Sequence, residues 1–121
     1  MNHNTFVTDL YNAVDSQDVY GISEFLTADA TMNFANLPPV QGKMEIGKFL
    51  TGFFQSIESV SHSELEYWYT QDVCFVTGKV KYVRHDDYTL SVPFGVLLKL
   101  RAGQILEWNI YVDNSELYIK E

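Results

Sequence analysis

The sequence predicts an α+β domain in which three N-terminal helices pack against one face of a strongly bent, mostly antiparallel sheet. Its 121 residues give room for one domain with its own core. Helical spacing of apolar residues fills the first half, and four strand-forming runs fill the second half. The last two runs, residues 89–100 and 104–113, carry apolar residues at every second position around a short turn. Such a hairpin is too apolar to stand alone and needs a covering layer.

Charge and composition exclude several classes of partner. Sixteen acidic and eight basic side chains give a net charge of −8, and no cluster of Lys or Arg interrupts it. Nucleic acid and anionic membranes are therefore not expected as partners, because both bind through basic patches. The chain has no apolar run of about 18 residues and no basic-then-apolar start, so we expect a cytoplasmic protein. Cys74 is the single cysteine and is expected to be a small buried hydrophobe.

Two helices are predicted before the first strand. In residues 4–17, Phe6, Leu10 and Val14 recur at helical spacing with polar residues between them, which indicates an amphipathic helix. Asp18 is a suitable N-cap for a short second helix. That helix is predicted to include Leu26 and to close over residues 27–29.

A strand, a loop and a third helix follow. Residues 30–35 are predicted to form a short strand, and the two prolines in residues 36–42 indicate a loop. Residues 43–57 then repeat apolar side chains at the i, i+3, i+4 and i+7 positions of a helix. Gly47 and Gly52 each cost that helix about 1 kcal/mol against alanine, so tertiary burial must outweigh propensity there.

The rest of the chain is predicted to be a four-stranded meander. Its strands are residues 62–70, 73–84, 89–100 and 104–113. Short turns between long strands make neighbours antiparallel. In the second strand apolar and polar residues alternate, so one face is expected to be buried and the other wet.

Three short motifs, taken together with this order of helices and strands, resemble those of a known protein family. They are ADA at residues 28–30, LPPVQG at residues 37–42 and EWNIYVD at residues 107–113. Together they resemble the SnoaL-like branch of the NTF2-like superfamily over nearly the whole chain. The resemblance implies one domain over residues 1–121 with a conical pocket between the curved sheet and the three helices. Because that superfamily includes ketosteroid isomerases, polyketide cyclases and limonene-type epoxide hydrolases, it does not imply one reaction.

The catalytic positions that the resemblance implies are occupied by apolar residues. Limonene-type hydrolases hold water with a Tyr-x-Asn pair and deprotonate it with an Asp on the last strand; here those positions are Met32, Phe34 and Ile110. The isomerase base falls near Phe34, and its acid falls near Val96 or Leu97. None of these side chains can carry a proton, so the known catalytic sets are predicted to be absent.

Three residues remain as candidate acids or bases, each with a structural alternative. Asp113 is either a pocket acid of the cyclase type or the cap of a terminal helical turn. Tyr11 borders the stripe of Leu10, so it either packs in the core or donates its phenol to a ligand carbonyl. His62 is either an exposed polar residue or a base tuned by Glu64, two residues further on.

No cofactor is expected. The histidines have no metal-ligand spacing, which predicts no metal site. A Gly-rich phosphate loop and a Gly-x-Ser-x-Gly nucleophile elbow are also absent.

The aromatic residues of the elements that bound the cone exceed what a small core needs, which favours a largely apolar small-molecule pocket. The predicted ligand-binding residues are Tyr11, Met32, Phe34, Phe53, Trp68, Tyr82, Phe94, Trp108 and Ile110, with Asn33 and Asn109 as further polar points.

Three hypotheses follow. In the first, the pocket binds a small hydrophobic or aromatic molecule without the known catalytic sets. In the second, the protein is an isomerase, a cyclase-like enzyme or a hydrolase that uses Asp113, Tyr11 or His62 as its acid or base. In the third, it is an interaction module that forms a homodimer through the outer face of the sheet. The resemblance to the NTF2-like superfamily implies this, because its members often pair in that way.

Overall fold

The computed structural model describes residues 3–119, and the side chains of residues 5–119. The ends of the predicted domain, residues 1–2 and 120–121, lie outside this range. The helices are α1 (His3–Asp15), α2 (Val19–Ser23), α3 (Lys43–Gln55) and a C-terminal 3₁₀ helix (Ser115–Tyr118). The strands are β1 (Leu26–Phe34), β2 (Val40–Gln41), β3 (Ser59–Thr70), β4 (Val73–Val83), β5 (Thr89–Arg101) and β6 (Gln104–Val112).

The six strands form one mixed sheet in the order β2-β1-β6-β5-β4-β3. β1 lies parallel to β6, and every other neighbouring pair is antiparallel. This architecture confirms the α+β prediction. Only α1 and α2 precede the first strand, because α3 lies between β2 and β3.

The end of α2 differs from the sequence-based expectation. The helix stops at Ser23, and residues 26–29, which were predicted to finish it, belong to β1. Leu26 pairs with Ile105 of β6, and the Ile105 amide donates a hydrogen bond of 2.6 Å to the carbonyl of Phe25. Pairing with a strand about 80 residues away overrides the local helical spacing, since propensity is a weak preference.

The predicted loop before α3 contains a two-residue strand. Val40 and Gln41 pair with Met32 and Thr31 of β1, and the Thr31 hydroxyl donates to the Gln41 side chain at 2.9 Å. Pairing begins only after Pro39, because proline has no N–H to give to a ladder. The prediction that all of residues 36–42 are loop is therefore wrong at its end.

The helices otherwise follow the predicted pattern. The Asp18 carboxylate caps α2 by accepting from the Gly21 amide at 2.9 Å. α1 and α3 have 13 residues each, and within residues 3–119 no helix is long and apolar enough to cross a bilayer.

The core lies between the helices and one face of the sheet, with α1 against β3 and α3 against β1. The alternation predicted for β4 is present: Val76, Val80 and Tyr82 are buried, whereas Lys79 and Lys81 are exposed. Cys74 is also fully buried, as expected. The opposite face of the sheet exposes Trp68, Phe75 and Tyr111.

Candidate functional site

A cavity of about 40 Å³ lies inside this core, walled by α1, α3 and the inner face of the sheet. Its lining is almost entirely apolar. Eight of the nine predicted ligand-binding residues line it: Tyr11, Met32, Phe34, Phe53, Tyr82, Phe94, Trp108 and Ile110.

Trp68 is the exception, because it lies on the outer face of the sheet with 54% of its surface exposed. Its ring packs beside Phe75, with centroids 6.3 Å apart. A β-bulge causes the difference: between Ser63 and Glu66, β3 contains one residue more than the facing segment of β4. An extra residue reverses which side chains point inward, so Trp68 does not share the face of the residues before the bulge.

β6 presents alternate residues to the cavity. Trp108, Ile110 and Val112 line it. Asn109 lies on the other face, where its side-chain oxygen accepts from Asn33 at 2.7 Å. The expectation that these two asparagines are polar points of the pocket is therefore wrong, because strand parity directs both of them away from it.

Asp113 does not reach the cavity. It is exposed, and its carboxylate accepts from the backbone N–H of Ser115 at 3.2 Å and from the hydroxyl of Ser115 at 2.7 Å. These bonds lower its pKa, which keeps it ionised. Asp113 thus fixes the turn that leads into the 3₁₀ helix, as the capping alternative predicts, and is not a pocket acid.

Two buried polar groups on the cavity wall have no hydrogen bond of good geometry. They are the hydroxyl of Tyr11 and the indole N–H of Trp108. Burial raises the pKa of the Tyr11 phenol, and the neighbouring Trp108 opposes this rise only in part. Burial also raises the pKa of Tyr82 to about 12, although its hydroxyl interacts with the Asn114 side chain. Both phenols are therefore neutral hydrogen-bond donors at physiological pH.

His62 lines the same cavity and is held by a carboxylate. Its Nδ1 lies 2.6 Å from Oδ1 of Asp15, and its backbone N–H donates to Oδ2 of Asp15 at 2.9 Å. The imidazole packs against the rings of Tyr11 and Phe94, with centroids 4.6 and 5.0 Å away. Only 11% of the His62 side chain is exposed.

This environment corrects two expectations about His62. The side chain is not an exposed polar residue, and the carboxylate beside it is not Glu64. The positive φ of Glu64 places that residue in the β3 bulge, where its carboxylate faces Lys79 at 3.8 Å.

Sequence reasoning missed Asp15 because it lies 47 residues from His62. One signal was present: Asp15 follows Tyr11 by four positions, so both project from the same face of α1. A Tyr and an Asp one helical turn apart, at the edge of an apolar stripe, indicate that polar side chains of this helix can contact buried groups of another element. Only the packing of α1 on β3 selects the partner.

Within the part of the chain that the structure describes, no group of three His, Cys, Asp or Glu side chains is arranged to hold a metal ion.

A helix layer on a mixed six-stranded sheet, with an apolar cavity between them, is the architecture of the NTF2-like class. The chain belongs to the SnoaL-like domain family, whose sequence pattern matches residues 7–108. No curated protein sequence matches the chain.

Several solved structures have a similar fold. A candidate polyketide cyclase from Xanthomonas campestris pv. campestris is 19% identical with a TM-score of 0.86, over 94% of this chain and 92% of that chain. A protein of ketosteroid isomerase-like fold from Catenulispora acidiphila, crystallised with trimethylamine, is 19% identical with a TM-score of 0.83, over 90% and 85%. TerC, co-crystallised with polyporic acid, is 15% identical with a TM-score of 0.82, over 93% and 92%. At these identities the likeness establishes the fold alone.

Proposed function

We propose that the cavity, enlarged by movement of Phe53, binds a small hydrophobic or aromatic molecule of about one ring with a short side chain that carries one acceptor oxygen. The observation that carries this proposal is the pair of buried donors, Tyr11 and Trp108, which lack a well-formed hydrogen bond in an otherwise apolar cavity. Phe34 and Ile110 stand where the resemblance to ketosteroid isomerases and limonene-type hydrolases implies a catalytic carboxylate.

The energetics favour an oxygen between those two donors. More than nine in ten buried polar groups in proteins are hydrogen-bonded, and leaving one unsatisfied costs about 1–3 kcal/mol. A carbonyl or hydroxyl oxygen held by the Tyr11 hydroxyl and the Trp108 N–H would satisfy both groups. The apolar walls add roughly 25 cal/mol for each Å² of ligand surface removed from water.

The size of the cavity limits the ligand. Its volume of about 40 Å³ is well below the roughly 300–1,000 Å³ of pockets for drug-sized molecules, and also below the roughly 150 Å³ of an apolar cavity that holds benzene, so a one-ring ligand requires Phe53 to move. The half-buried Phe53 closes one side, with its ring centroid 5.2 Å from that of Phe34 and 6.1 Å from that of Tyr82. Displacement of Phe53 would enlarge the space. Two proteins of similar fold were crystallised with organic molecules, trimethylamine and polyporic acid, which supports an organic ligand but not its size or its oxygen.

Removing one donor tests the proposal. We expect Tyr11→Phe to weaken the binding of phenylacetone about fivefold, because a net hydrogen bond contributes about 1 kcal/mol. Binding of propylbenzene, which lacks the oxygen, should not change. Isothermal titration calorimetry measures both ligands, and Tyr111→Phe on the exposed outer face is the matched control.

Two results would contradict the proposal. One is that neither ligand binds the wild-type protein. The other is that Tyr11→Phe weakens both ligands equally, which would mean that the hydroxyl does not recognise an oxygen.

The outer face of the sheet supports a second proposal, that two copies of the chain pair through it. Trp68, Phe75 and Tyr111 are 54%, 41% and 59% exposed on this face, and Trp68 and Phe75 stand in register on β3 and β4. Beside them, Lys99 and Glu107 form an ion pair of 3.7 Å. A two-fold axis can place Lys99 of one copy near Glu107 of the other. The charges and the exposed aromatic residues of this face can therefore pair with the same face of a second copy.

Sedimentation velocity at micromolar concentration tests this pairing. The wild-type chain should sediment as a dimer, and Phe75→Lys should sediment as a monomer, because the substitution buries an unpaired charge in the interface. Tyr20→Lys, at an exposed tyrosine of α2, is the control and should remain dimeric. A wild-type monomer under these conditions would rule the pairing out.

A further inference from the structure

The Asp15–His62 pair is not needed for the binding proposed above. We propose that it makes the cavity an active site in which Nε2 of His62 removes a proton from carbon next to the carbonyl group of the bound molecule. The inference rests on the proposed function, because the ligand oxygen at Tyr11 and Trp108 sets where that carbon lies.

The contacts with Asp15 determine which nitrogen of His62 is the base. An ionised carboxylate can only accept hydrogen bonds, so Nδ1 at 2.6 Å from Oδ1 carries the proton. In the neutral ring Nε2 then carries the lone pair. No described residue hydrogen-bonds to Nε2. The second bond, from the His62 amide to Oδ2, fixes the carboxylate relative to the backbone of β3.

The position of the ring is also fixed. His62 lies on the cavity wall, and its ring packs against those of Tyr11 and Phe94 at centroid distances of 4.6 and 5.0 Å, in a tilted and an edge-on arrangement. Tyr11 therefore contacts the base with its ring while its hydroxyl remains available to a ligand oxygen. A base and an oxygen donor on adjoining side chains are the two groups that proton abstraction beside a carbonyl requires.

Asp15 is the carboxylate that contacts the His62 ring. When Nε2 takes a proton, the imidazolium is stabilised by the Asp15 carboxylate that it already contacts. The other titratable groups on the wall are Tyr11 on α1 and Tyr82 on β4, both kept neutral by burial. The wall residues from α3, β1, β5 and β6 carry no titratable side chain. Among the residues that line the cavity, His62 is therefore the one with a basic nitrogen in its side chain.

The step is balanced without a further reactant. Nε2 of His62 takes the proton, the electron pair of the C–H bond becomes a C=C bond, and the carbonyl electrons move to oxygen. Tyr11 and Trp108 donate hydrogen bonds to the resulting enolate oxygen. Nε2 then returns a proton to carbon, which gives exchange with solvent or a shifted double bond. This base lies on β3, whereas the resemblance to ketosteroid isomerases and limonene-type hydrolases implies bases at Phe34 and Ile110, which are apolar here.

Exchange of the benzylic protons of phenylacetone into D₂O, followed by NMR at neutral pH, tests the inference. We expect the wild-type protein to accelerate exchange, and His62→Gln to lose about 100-fold or more of that rate, the usual contribution of a general base. His85→Gln, at an exposed histidine outside the cavity, is the matched control and should retain the rate.

Asp15 is tested as a positioning residue. Asp15→Asn should lower the exchange rate about tenfold or more, because an amide neither fixes the Nδ1–H tautomer nor stabilises the imidazolium. The ¹⁵N shifts of the imidazole should show a rise in the Nε2–H form, a change that a purely structural role would not produce. Thermal melting and phenylacetone binding report whether each variant still folds and binds.

The outcomes separate the two proposals. If phenylacetone does not bind, the proposed function fails. If it binds but exchanges no faster than in buffer, or exchanges equally fast with folded His62→Gln, the active-site inference is overturned and the binding proposal stands.

Discussion

A Val96→Asp variant is expected to lose about 3 kcal/mol or more of its unfolding free energy at pH 8, through lost packing and a buried, unpaired charge. Val96 is buried on the cavity wall, and its neighbours across the sheet are Val76 on β4 and Ile110 on β6. Neither neighbour can donate a hydrogen bond from its side chain. The substitution therefore measures how dry the cavity is.

The loss should depend on pH with a defined sign. Burial raises the pKa of the new carboxyl above its value of about 3.9 in the unfolded chain. The folded state then binds the proton more tightly, so the cost of the substitution grows as pH rises from the unfolded pKa to the folded pKa. Urea unfolding at pH 4.5 and pH 8, each compared with wild type, measures the difference.

Ser91→Asp is the matched control for Val96→Asp. Ser91 lies on the same strand but is exposed on the outer face, so its substitution should change stability by less than about 0.5 kcal/mol. If Val96→Asp were as mild as Ser91→Asp, or equally destabilised at both pH values, the cavity would be wet. The cavity would then contain water, and an apolar ligand would not be expected to bind there.

The second large effect is expected at Gly78, which lies opposite the β3 bulge. A Cβ at this position would stand 2.7 Å from the carbonyl oxygen of Ser63 and 3.0 Å from Cε1 of Phe94. Real Cβ atoms essentially never approach this closely, and a backbone oxygen cannot rotate away. We expect Gly78→Ala to destabilise the protein by about 2 kcal/mol, within the range for overpacking.

This substitution should also reach the site. Phe94 packs against the imidazole of His62, and Ser63 directly follows His62. Whichever group moves to admit the new methyl disturbs the ring that Asp15 holds. Phenylacetone exchange by folded Gly78→Ala, assayed below its melting temperature, should be slower than by wild type.

Gly95→Ala provides the comparison, since Gly95 lies on the neighbouring strand and its Cβ would meet nothing nearer than 3.9 Å. Alanine there should be neutral or stabilise by about 0.5 kcal/mol, because it restricts the unfolded chain. The melting temperatures of Gly78→Ala and Gly95→Ala, each compared with that of the wild-type protein, test this difference. Equal melting temperatures would show that the bulge does not constrain Gly78.

The sequence by itself determined most of the cavity wall. Helical spacing in α3 and strand alternation in β4, β5 and β6 assign an inward face to each element, because each regular element has one period. That is why Phe53, Tyr82, Phe94, Trp108 and Ile110 lie where their spacing predicts. The same alternation left open whether Trp108 or Asn109 points inward, which only the covering helices decide.

Tertiary structure decided the features that break a period or join distant segments. The bulge in β3 reversed the parity that would have placed Trp68 in the cavity, and pairing with β6 turned Leu26 from helix to strand. The contact of Asp15 with His62 spans 47 residues and exists only because α1 packs on β3. The local sequence pattern shows which face of a helix or strand is apolar. Which polar side chains contact each other inside the core depends on how the helices pack on the sheet.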